Sequence, residues 1–174
     1  MEYQLDNAFE ILARTPKILE IYLQNLSDDW IHCNEGDQTW SAYDVLGHLI
    51  HGEKTDWTER LKIIMSDGHD KTFQPFDRFA QFEESKGKTL NQLLIEFKTL
   101  RQQNINFIKS LNISELDYSK RAIHPSLGEV TLKNLLATWV AHDLGHIVQI
   151  ARVMAKQYKS EVGPWAQYLS VMNK

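Results

Sequence analysis

Cysteine is almost missing from this chain. Cys33 is the only one, so an intramolecular disulfide is impossible; with no Cys-His signature around it, it reads as a small side chain near a helix end. A surplus of positive charge is missing too. Nineteen lysines and arginines, scattered among 23 acidic residues, leave a formal net charge of −4. Phosphate binding calls for a basic surface, so nucleic acid is not an expected partner. No apolar run approaches the roughly 20 residues that a membrane span needs. The opening MEYQLDNAFEILARTPKIL is acidic and amphipathic, unlike a basic, apolar and small-residue leader. Together these absences predict a cytoplasmic protein with no membrane contact. No repeat, low-complexity tract or paired-strand pattern is evident either.

What remains is an ordinary globular composition, 43% apolar and 24% charged over 174 residues. That length predicts one domain, residues 1–174, able to bury a sizeable core without staples. Apolar residues recur at three- and four-residue steps in four long stretches. The first runs from about Glu2 to Leu26, with Pro16 as a possible kink or break. The second opens on Ser41 with Asp44 three residues later, a capping box, with Trp40 placed to staple onto Val45; it is expected to run unbroken to Met65. Thr89 and Gln92 make a second box before the third stretch, and Thr131 caps the fourth, Leu132 to about Tyr158. Gly163 and Pro164 mark an end, after which WAQYLSVM suits a short terminal helix. Between the second and third stretches, residues 67–88 are irregular, with Phe73, Phe76, Phe79 and Phe82 at every third position: an aromatic segment that packs on the bundle or serves as a lid. The predicted fold is all-α, a four-helix bundle.

Seven histidines are the chemically informative residues. His142 and His146, in HDLGH, are one helical turn apart beside the stripe of Leu135, Trp139 and Val153. Buried imidazoles need partners for both ring nitrogens, and two neighbours cannot both be charged without cost; a metal ion answers both needs. His48 occupies the apolar stripe of a different helix, and bundle cores build metal sites from facing helices. Three neutral imidazoles suit zinc or nickel and leave positions for water or substrate. His51 shares a helix with His48 but sits off the stripe and reads as a flanking residue; His32, His69 and His124 fall in expected loops. HDLGH also resembles the zincin helix H-E-x-x-H, but Asp143 is short for the glutamate base and no histidine follows His146, which argues against a protease.

Two blocks, WSAYDVLGHLIHGE (40–53) and HDLGHIVQIARV (142–153), resemble the motifs of the DinB-like superfamily, which includes YfiT-type metal-dependent hydrolases and bacterial thiol S-transferases. PFDRFAQFEESKGKTL and the C-terminal residues resemble it as well. The resemblance implies a four-helix bundle of DinB/YfiT type, a divalent metal, zinc or nickel, on His48, His142 and His146, and a homodimer. It implies activation of water or a low-molecular-weight thiol against a small electrophilic substrate, as a hydrolase or thiol S-transferase. Asp143, Gln149, His51 and Glu53 are then candidates to support the ligands or move protons, and Arg152 to meet an anionic substrate. The alternative is a bundle that holds metal or a small ligand without turnover.

Overall fold

A computed structural model describes residues 1–173. Helix α1 spans Leu5–Leu23, α2 Asp28–His32, α3 Ala42–Thr55, α4 Trp57–Met65, α5 Ala80–Ser85, α6 Leu90–Ser110, α7 Leu132–Lys156 and α8 Lys159–Val162. The sequence-read caps form: Ser41, Thr89 and Thr131 each accept from a backbone N–H three residues on, and Asp44, Gln92 and Asn134 bond back. Around the bundle, α1 packs on α6 and α7, and both of those pack on α3. Thus α1 and α3, successive long helices in the chain, sit diagonally opposite.

Four expectations need correction. The second stretch is not one helix: it breaks at Asp56 (φ −111°, ψ −74°), where α4 begins. Gly52 permits the break, because a Cβ there would stand 3.2 Å from Trp57 Nε1; the bare backbone lets the indole turn inward and stack on Trp139 at 5.6 Å. The loop before α7 holds an antiparallel hairpin, β1 Arg121–His124 and β2 Gly128–Thr131, with Gly128 in the left-handed region. Backbone bonds from Ile123 N–H to Lys71 O and from Phe73 N–H to Ile123 O tie the irregular segment to β1. His124 therefore lies in a strand and His32 in α2, not in loops. The last long helix ends at Lys156, and residues 163–172 form two 3₁₀ turns.

Pro16 neither breaks nor ends α1. Its missing N–H leaves the carbonyl of Leu12 without a helical partner, and Arg101 Nη1 donates to that oxygen at 2.9 Å. This bond lies in a polar layer that divides the core in two. One apolar half gathers Phe9, Leu12, Trp57, Ile64, Ile105, Ile108 and Trp139, the other Leu19, Leu46, Leu49, Leu93, Phe97 and Ile150. On every long helix the polar residue lies between the two sets: Thr15 on α1, Glu53 on α3, Arg101 on α6 and Asp143 on α7, all buried.

Candidate metal centre

His48, on α3, and His142 and His146, on α7, meet at the edge of this layer. Nε2 of His142 lies 3.2 Å from Nε2 of His48 and 3.0 Å from Nε2 of His146. Burial pushes His48 and His142 down to about 3 from an ordinary 6.5, and their neighbouring imidazoles add to the effect. Burial lowers His146 as well, against the opposing effect of its hydrogen bond to Gln149. The rings are therefore neutral at pH 7, the form that ligates metal.

The donor set fits a divalent ion. Nitrogens about 2.0–2.1 Å from one ion, at tetrahedral to right angles, lie about 2.9–3.4 Å apart; the separations of His142 from His48 and from His146 fall within that range, and all three donor atoms lie within 4.8 Å of one another. Gln149 Oε1, 2.8 Å from His146 Nδ1, accepts that nitrogen's proton and leaves the Nε2 lone pair turned toward the other rings. The Nδ1 atoms of His48 and His142 are buried without a hydrogen-bond partner among the described residues.

A cleft of about 580 Å³ opens onto His48 and His146. Trp40 packs on His48 with ring centroids 4.8 Å apart, and Phe76 meets His48 at 5.5 Å and His51 at 5.0 Å. The regularly spaced phenylalanines thus have different fates: Phe73 is core, Phe76 walls the cleft, and Phe79 and Phe82 stack on each other at the surface, 60% and 42% exposed. Arg152, at the cleft margin, is committed to Glu35 through Nη2–Oε2 at 2.7 Å.

The other candidate residues are distributed differently. His51 is buried beside the cluster but outside it; its Nδ1 pairs with Glu84 Oε1 at 2.8 Å and its Nε2 lies 3.3 Å from Thr55 Oγ1. Glu53 and Asp143 are not helix-surface residues. They are fully buried and grip Arg101: its Nη2 donates to Glu53 Oε1 at 2.8 Å and Asp143 Oδ1 at 2.9 Å, its Nη1 to Asp143 Oδ2 at 2.5 Å. Asn104 and Trp139 also donate to Glu53. Burial raises the Glu53 carboxyl against the pull of Arg101; burial also opposes charge on Arg101, but the two carboxylates outweigh it and keep the guanidinium charged. With both its oxygens bound to Arg101, Asp143 cannot serve as a zincin-type base. The sequence reading missed Arg101, although its signal is there: it interrupts the α6 stripe Leu94, Phe97, Ile105, Ile108 at the expected core position.

Three inward imidazoles beside an aromatic-walled cleft define a helical bundle with a metal-type donor set. Residues 11–150 match the DinB superfamily model, and the chain belongs to that superfamily. Among solved structures it is similar to YfiT from Bacillus subtilis, described as a probable metal-dependent hydrolase with an unusual four-helix bundle topology; 19% of residues are identical, 90% of this chain and 89% of that one are covered, and the TM-score is 0.75. That likeness shows the four-helix bundle fold. A comparison with curated proteins finds no match. Among the described residues, no helix is long and apolar enough to cross a membrane.

Proposed function

We propose that this protein is a metal-dependent enzyme, with His48, His142 and His146 holding zinc or nickel and a small electrophilic substrate entering the adjoining cleft. The observation that carries the reading is the convergence of three neutral imidazoles, two of which, His48 and His146, line that cleft. A divalent ion held there supplies Lewis-acid activation of water or a low-molecular-weight thiol. The chain's own residues do the rest. Gln149 fixes the tautomer of His146. Trp40 and Phe76 keep bulk water off His48 and shape what can approach it. The His51–Glu84 pair behind Phe76 is the nearest carboxylate–imidazole couple through which a proton can pass outward. Arg101 joins α3, α6 and α7 and so fixes the spacing of the helices that carry the histidines. A homodimer is proposed on the exposed face of α7, where Leu144 and Val148 stand one turn apart, 45% and 56% exposed; sedimentation of Val148→Glu as a monomer would support it.

Elemental analysis of protein purified without a histidine tag should give about one divalent ion per chain. The loaded protein should release nitrophenolate from 4-nitrophenyl acetate, alone or with an added low-molecular-weight thiol, and His48→Ala should return the rate to background. Full activity in His48→Ala would overturn the enzyme reading; a bound ion without turnover would favour a bundle that only holds metal.

A further inference from the structure

Arg78 differs from every other arginine in the chain. The six are Arg14, Arg60, Arg78, Arg101, Arg121 and Arg152. Five have a carboxylate partner: Glu10, Asp56, Glu53 with Asp143, Glu129 and Glu35 respectively. Among the described residues Arg78 makes no ion pair and no hydrogen bond. Its guanidinium lies 5.8 Å from the Trp40 ring centroid and 5.7 Å from that of Phe79, and it lines the cleft that reaches His48 and His146. Ring contacts of this kind hold a guanidinium over an aromatic face and leave its N–H edge available, the edge that binds a carboxylate through two parallel hydrogen bonds.

The other charged side chains that line the cleft already have partners. Among the described residues Glu35 is the one lining carboxylate, and it is held by Arg152 and by Lys156, the latter at 2.9 Å. Arg78 is therefore the lining cation whose donors are unspent, and one guanidinium edge matches one carboxylate.

We propose that Arg78 is a specificity-determining residue, and that the substrate attacked at the three-histidine site carries a carboxylate that Arg78 binds at the mouth of the cleft. The inference rests on the enzyme reading above and adds the charge of the substrate to it. Because Arg78 is exposed and bonded to nothing, Arg78→Met leaves the fold intact, and circular dichroism checks this.

Two measurements test it. In calorimetry on metal-free protein, succinate binds and neutral succinamide does not, and Arg78→Met weakens succinate by about tenfold, with partial recovery in Arg78→Lys. In metal-loaded protein, the preference for 4-nitrophenyl hydrogen succinate over 4-nitrophenyl acetate falls by a similar factor in Arg78→Met, through KM rather than kcat. A succinate affinity unchanged in Arg78→Met, the absence of succinate binding, or an unchanged ester preference would each overturn the proposal. Zinc titration of the same proteins keeps the two readings apart. Absent zinc binding sinks the three-histidine site, whereas normal zinc binding with unaltered succinate affinity sinks only the role of Arg78.

Discussion

Two polar clusters, one fully buried and one half-buried at the cleft, sit side by side between α3 and α7, and they solve opposite problems. In the Glu53–Arg101–Asp143 group, opposite charges meet and every carboxylate oxygen has a donor. In the His48–His142–His146 group, three like donors face one another and two Nδ1 atoms have no partner. A cluster of opposite charges whose carboxylates are all met by donors holds a fold together, with Arg101 Nε alone left without a partner in it among the described residues. A cluster of unspent lone pairs is built for something the chain does not supply.

The largest effect on the fold should come from breaking the charge-paired cluster. Arg101→Met strands two buried carboxylates and should cost about 3–5 kcal/mol in urea unfolding; replacing Glu53 and Asp143 by leucine in the same protein should restore most of that loss. His142→Leu should do the reverse, removing stoichiometric zinc while leaving stability within about 1 kcal/mol of the parent. Gln149→Ala, which frees the His146 tautomer, should weaken zinc by about 10- to 100-fold without touching the fold. A separate prediction concerns acid stability. In metal-free protein, His48 and His142 titrate near 3 when folded but near 6.5 when unfolded. Between those values the two imidazoles bind more protons in the unfolded chain, so their contribution to stability is constant above about pH 6.5 and falls with pH toward 3. Tm measured against pH should show that slope, and His48→Leu/His142→Leu should flatten it.

The sequence announces one cluster far better than the other. Histidines on apolar stripes stand out, and the capping boxes at Ser41, Thr89 and Thr131 set the helix starts that bring them together. Arg101 was open to the same stripe argument, yet its meaning depends on Glu53 and Asp143 from two other helices, and no local pattern links residues so far apart. Pro16 misleads for a related reason: the carbonyl it frees is satisfied from α6, outside the window in which a proline is judged. The break at Asp56 carries no proline and comes from where Trp57 packs. The hairpin at 121–131 escapes because its strands are four residues each and only Ala122 is buried, too little alternation to register.

The cleft has two kinds of architecture in one wall. Its histidines hang from long helices braced across the polar layer, whereas Trp40, Phe76 and Arg78 belong to the connecting segments before α3 and between α4 and α5. Substitutions or length changes in those connectors can therefore alter which molecule is admitted while the imidazole geometry stays as it is. Such a division makes the scaffold evolvable: chemistry is inherited with the helices, and selectivity is free to drift with the loops.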